Sequence, residues 1–231
     1  MDMIHLEHGY NKLVKPMESS LEQSACYPQP VGIESFNPAA SLPYGLTAEH
    51  LCGAMNAFVD FIGFINQQLH DRNIPRLETM LMPATFSSIV GEFMASAIPK
   101  HCPKIARNSY HNGHPDLVPK GMFLNDTVQY TQEGIEVKGS RYPRGWQGHN
   151  PESVWLMVFY FASNRPNDKE KGIQPVPFHY LGVFGARLEK ADWKFSGRSP
   201  TSRRTITASV APSGYDKMVS NWLYRSPGLK L

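Results

Sequence analysis

The sequence predicts a mixed α/β (α+β) domain, with a central mixed β-sheet flanked by helices. Three observations carry that prediction. Two stretches between residues 47 and 99 repeat apolar residues at helical spacing, the pattern changes after Pro103 to short apolar segments divided by Gly, Asn and Pro, and a helical pattern returns near the C-terminus. Helices first, then strands, then helix is the order of an α+β or three-layer α/β domain. At 231 residues and 26.0 kDa the chain suits one domain with an appendage, and it can bury a core without disulfide or metal staples.

Residues 1–45 are rich in Pro, Ser and Gly with little periodicity and are expected to form an irregular N-terminal arm that wraps the body or reaches a partner. Residues 46–231 are expected to form a single domain whose C-terminal part is basic. Thr47 makes an N-cap for AEHLCGAMNAFVDFIGFINQQLHDR, where Leu51, Ala54, Met55, Phe58, Phe61, Ile62 and Ile65 recur at three- and four-residue steps. A second helix, ATFSSIVGEFMASAIP, places Phe86, Ile89, Val90, Phe93, Met94 and Ala97 on one face, carries the single acid Glu92 and is expected to end at Pro99. DTVQYTQ and GIEVKGS, joined at Glu133-Gly134, read as a hairpin. SVWLMVFYFA and FHYLGVFGARL read as buried strands by their β-branched and aromatic content. RRTITASV adds a strand and YDKMVSNWLYR a short helix, which makes a sheet of four or five strands.

Several function classes fall away early. Cys26, Cys52 and Cys102 are widely spaced and odd in number, so neither a disulfide framework nor a zinc knuckle is expected, and a cytoplasmic location is the natural reading. No apolar run approaches the roughly 18 residues of a membrane span, and the N-terminus lacks the form of a signal peptide. The net charge of +3 is too mild to indicate a nucleic-acid partner by itself, yet from Arg187 onward nine Lys and Arg face three acids, a basic surface that suits a phosphate backbone.

The segment IEVKG carries the chemistry. Side chains alternate along a strand, so Glu136 and Lys138 share one face while Ile135 and Val137 share the other. A carboxylate beside an ammonium can ligate Mg²⁺, steady a pentavalent phosphorane and, with a lowered lysine pKa, help deprotonate water. A hard cation calls for a second carboxylate. Asp116, in Pro115-Asp116, can bring one from an adjoining strand; Asp126 can do so from the hairpin, and the Pro-Asp dipeptide followed by LVP favours Asp116.

The order Glu92 on a preceding helix, Pro115-Asp116, then Glu136-Val137-Lys138 on a strand resembles the PD-(D/E)xK nuclease superfamily, to which most type II restriction endonucleases belong. The resemblance covers roughly residues 84–162. It implies a restriction endonuclease-like core; Asp116 and Glu136 (alternatively Asp126) as ligands of Mg²⁺ or Mn²⁺; Lys138 orienting or activating the attacking water; and Glu92 assisting. Double-stranded DNA is the implied substrate and a homodimer the implied assembly, with no membrane partner. The loop RYPRGWQGHNPES after the active strand, with Arg141, Gln147 and His149, and the distal Arg198, Arg203 and Arg204 are candidate DNA contacts. The segment HNGHPD, with His111, Asn112 and His114, also raises an HNH nuclease, but no downstream helix offers a ligand at suitable spacing. A bland alternative stands beside these: Glu-x-Lys as a solvated cross-strand ion pair. The functional rivals are a DNA-binding protein that does not cut and a structure-specific repair nuclease.

Overall fold

In the computed structural model, residues 16–148, 150–195 and 208–229 are described. Helix α1 (Pro16–Ser24) opens them, and α2 (Ala48–His70), α3 (Leu77–Met80) and α4 (Pro83–His101) follow. Thr47 caps α2 as its sequence predicts, with His50 closing the capping box where a glutamate is usual. Strand β1 (Ile105–Arg107) leads to β2 (Leu117–Pro119), β3 (Ile135–Ser140), β4 (Gln147–Gly148), β5 (Val154–Ala162), β6 (His179–Leu188), β7 (Trp193–Phe195) and β8 (Ala208–Val210), and the described chain closes with α5 (Pro212–Ser220) and β9 (Trp222–Arg225). The main sheet has the order β1-β2-β3-β5-β6-β9 and is mixed, because β3 and β5 pair in parallel while its other neighbours are antiparallel. A second, small antiparallel sheet has the order β4-β8-β7 and packs against the main one through Trp193 and Ala208.

The apolar run of β5 explains the layering. Trp155, Met157, Phe159 and Phe161 join a core built from α2 and α4, whereas Val154, Leu156 and Val158 join a second core with Trp146, Phe184, Trp193 and Met218. Both faces of the strand are covered, so its sequence is continuously apolar instead of alternating. On the first face α4 lies close against β3. A Cβ on Gly139 would meet Ser87 O at 2.4 Å, and one on Gly91 would meet Gly139 N at 3.3 Å, so glycine on each element permits the approach that brings Glu92 beside the strand.

Several expectations need correction. The hairpin does not form: Asn125 and Asp126 both take left-handed backbone, and residues 126–132 make one isolated bridge, His114 with Tyr130. Strand β3 has only two edges, and β2 and β5 occupy them. Helix α4 runs two residues past Pro99. The tail helix stops at Ser220 because the Asn221 amide is held by Ser41 O and Gly185 O, and residues 222–225 instead add β9 to the open edge of β6. Residues 203–207 of the RRTITASV segment lie outside the described residues; Ala208–Val210 form a strand as expected.

The arm holds a helix, α1, and its described remainder wraps the body. Phe36 bridges Tyr224 and Asn37 N donates to Leu223 O, so the arm covers the β9 edge. Tyr44 reaches the other side of the sheet, accepting from Gly134 N and donating to Glu133, which pins the entry to β3.

Beneath α2 lies a buried polar knot. Arg76 donates to Glu78, Glu22, Asn164 Oδ1 and Val176 O, and the other Glu78 oxygen accepts from Asn66. This knot ties the helices to the chain after β5.

Candidate active site

Asp116 stands at the entry to β2, where Leu117 pairs antiparallel with Ile135. That register sets Asp116 level with Glu136, and Asp116 Oδ2 accepts a hydrogen bond from Val137 N at 2.8 Å. Glu136 and Lys138 share a face of β3 as their spacing predicts, and Lys138 Nζ donates to Glu136 Oε1 at 2.7 Å. The three line one open polar cleft of about 940 Å³ with Glu92, Arg107 and the loop 108–113. Glu92 projects from α4 into this cleft, paired with Arg107 at 2.6 Å; both side chains are more than half exposed, so the pair contributes little stability. Asn108 ties the loop down by donating to Pro115 O and Val128 O and accepting from Tyr110 N and Val128 N.

Asp126 lies elsewhere. Its carboxylate accepts from Gly121 N in the turn after β2; Asp126 does not line the cleft, and its backbone O touches the cleft loop, accepting from Ser109 N. Geometry therefore groups Asp116, not Asp126, with Glu136 and Lys138.

Two further residues join the site: His114, which the sequence raised only within the HNH alternative, and Glu152, which it did not single out. His114 sits between two carboxylates, Nδ1 at 3.0 Å from Glu136 Oε2 and Nε2 at 2.5 Å from Glu152 Oε2. The signal for His114 was its place directly before Pro115-Asp116. Glu152, in the loop before β5, offered none, since only the parallel pairing of β3 with β5 brings that loop to the site.

Burial and charge set the protonation states. Desolvation, and then the charge of Glu136, push the Asp116 carboxyl up to about 7. Burial alone would raise Glu136 too, but the His114 hydrogen bond and the Lys138 charge outweigh it and bring it down to about 2. Burial would lower His114, yet Glu136 and Glu152 together raise it to about 9. Lys138 is raised for the same reason, with Glu136 outweighing its desolvation. The direction is opposite to the lowered lysine pKa that the sequence reading invoked for deprotonating water. Lys138 remains a cation that can donate hydrogen bonds.

A pH test follows from His114. Its folded pKa of about 9 lies above the ordinary 6.5, so its stabilising contribution is complete below about 6.5 and is lost as pH rises through 9. In EDTA the melting temperature is expected to fall across that window, and His114→Gln to flatten the fall; an equal fall in both proteins would remove His114 as its source.

The remaining candidate contacts divide. Arg141 is turned inward, donating to Ser163 O and Asn164 O, with its guanidinium over the Phe86 and Phe161 rings at 5.3 and 5.1 Å. It is 8% exposed and packs the core, which corrects its assignment to DNA. Gln147 is exposed on β4, opposite Ser209. His149, Arg198, Arg203 and Arg204 lie outside the described residues. Among the described residues no helix is long and apolar enough to cross a membrane. Comparison with models of known protein families, with characterised proteins and with solved structures returns no match to this chain.

Proposed function

We propose that the chain is a metal-dependent endonuclease of restriction type, with the fold core of that superfamily, that hydrolyses phosphodiester bonds of double-stranded DNA. The observation that carries the reading is the convergence of Asp116, Glu136 and Lys138, from paired strands, in one open polar cleft. The cleft is polar and open to solvent, as a charged polymer substrate requires.

The donor set suits Mg²⁺ or Mn²⁺. Among the described residues no group of three or more His, Cys, Asp or Glu is placed to hold a metal, but Mg²⁺ is commonly held by one or two carboxylates with waters and substrate oxygens. Asp116 and Glu136 would hold it. Their mutual repulsion, one cause of the raised Asp116 pKa, is what a divalent cation would relieve. When bound, such a cation supplies Lewis acidity at the phosphoryl oxygen and lowers the pKa of an attacking water. The chain's own groups do the rest: Lys138 donates to the water or to a phosphoryl oxygen as charge develops, and Val137 N–H holds the Asp116 carboxylate in place. His114 and Lys138 together fix the Glu136 carboxylate. A palindromic target would call for a homodimer, because two-fold protein symmetry matches two-fold DNA symmetry.

A second reading, a DNA-binding protein of nuclease-like fold that does not cut, is favoured by one observation: both Glu136 oxygens are already engaged by cations, as in an inert ion-pair network. Incubating the protein with plasmid and phage DNA, with Mg²⁺, with Mn²⁺ and with EDTA, separates the two. Discrete metal-dependent fragments, lost in Asp116→Ala and retained in Asp126→Ala, are the expected result. Loss only in Asp126→Ala would overturn the ligand assignment, and no cutting with either metal would favour the second reading. Cutting confined to branched or damaged DNA would indicate a repair nuclease.

A further inference from the structure

A second, smaller pocket of about 250 Å³ opens on the other side of the charged trio, sharing His114, Glu136 and Lys138 with the main cleft. Its remaining lining is Tyr130, Gly148, Asn150, Glu152, Val154 and Trp193. We infer that this pocket receives one nucleobase of the DNA strand, from a nucleotide next to the phosphate at which Asp116, Glu136 and Lys138 would direct the attacking water; the inference rests on the nuclease reading above.

Four observations lead there. The volume of about 250 Å³ falls below the roughly 300–1,000 Å³ of pockets for drug-sized ligands, which suits a single heterocycle. Two aromatic side chains line it, and stacking on aromatic rings is how proteins commonly hold an unpaired base. Tyr130 is half exposed and stacks on the His114 ring, centroids 5.8 Å apart and planes within 16°. The Trp193 indole is fixed by its N–H bond to Glu152 O. Polar groups complete the lining: the Asn150 amide offers donors and an acceptor, and the Glu152 carboxylate acceptors, which suit the edge of a base. Finally, the wall at Gly148 carries no side chain. A Cβ there would lie 3.2 Å from the Trp193 ring, so a larger side chain would press on Trp193 and Asn150, two residues of the lining.

Position gives the pocket its meaning. The chain that lines the main cleft and the chain that lines the pocket meet at His114, Glu136 and Lys138, so a strand whose phosphate sits at the trio has one neighbouring base within reach of the pocket. A base drawn out of the stack costs least where pairing is already weakened, and the protein regains the cost through stacking and edge contacts.

The test separates the pocket from the nuclease reading by using no metal and no DNA. Each of the four 2′-deoxynucleosides is titrated into the metal-free full chain to millimolar concentrations while the indole N–H signals are followed by NMR, with the Trp193 signal assigned through Trp193→Phe. At least one nucleoside is expected to shift the Trp193 signal saturably. Tyr130→Ala, a change at a half-exposed side chain, should weaken that binding about tenfold, the loss of one base-stacking contact, and Gly148→Val should abolish it. No shift with any nucleoside, or equal affinity in both variants, would overturn the inference whether or not the protein cuts DNA. Plasmid cleavage, measured separately with Mg²⁺, reports on the nuclease reading alone.

Discussion

Lys138→Ala is expected to lower DNA cleavage by about 10²–10³-fold or more, the cost of losing a donor aimed at developing charge, while the protein stays folded and binds DNA. The physical basis is local. Lys138 Nζ lies 2.7 Å from Glu136 and is held as an ammonium, so removing it takes away the one lysine on the active face of β3 without touching the apolar face, Ile135 and Val137, that holds the strand in the core. His114 still faces Glu136, so the carboxylate keeps one cationic partner and the strand is not left with an unpaired buried charge. Initial rates on a mapped plasmid, gel-shift affinity in EDTA and far-UV circular dichroism are the three readings. A variant that cuts at the wild-type rate refutes the assignment; one that neither cuts nor folds says nothing of catalysis, and Lys138→Met, which keeps the length of the aliphatic stem, then becomes the deciding substitution.

Arg76→Met is expected to cost about 3–5 kcal/mol of stability, the usual penalty for breaking a buried ion pair from one side. Glu78 is fully buried and Arg76 nearly so, and the guanidinium serves Glu78, Glu22, Asn164 and Val176 at once. Its removal leaves the Glu78 carboxylate with Asn66 alone in an apolar setting. For a chain of this size such a loss lowers the melting temperature by roughly 10 °C. The double variant Arg76→Met, Glu78→Leu is expected to recover much of it, because no buried charge then remains; equal destabilisation of single and double variants would show that Arg76 acts through its hydrogen bonds to the chain at Asn164 and Val176.

Much of the fold was legible because it is written in short periods. Helix α2 announced itself through a 3.6-residue apolar repeat and a Thr47 cap, β5 and β6 through unbroken apolar runs, and the shared face of Glu136 and Lys138 through the two-residue period of a strand. The failures fall where a neighbour distant in sequence decides. A strand-like composition at residues 126–132 met a β3 whose edges were already taken, and an apolar tail segment with helical spacing met the free edge of β6 and became β9. Arg141 looked like a surface contact because nothing adjacent in sequence reveals the Phe86 and Phe161 rings beneath it.

The candidate site divides along the same line. The sequence alone determined that one carboxylate and one ammonium would project together from an apolar strand, since that follows from backbone geometry whatever surrounds it. Only the tertiary structure decided which acid joins them, choosing Asp116 through the pairing of Leu117 with Ile135 and leaving Asp126 to close a turn. It alone put His114 and Glu152 beside Glu136, and it set the protonation states, because a pKa answers to burial and to charges that strand order brings together. Local periodicity is a property of consecutive residues, whereas an active site is a meeting of distant ones, and the pairing of strands that arranges the meeting leaves no mark in any single stretch of chain.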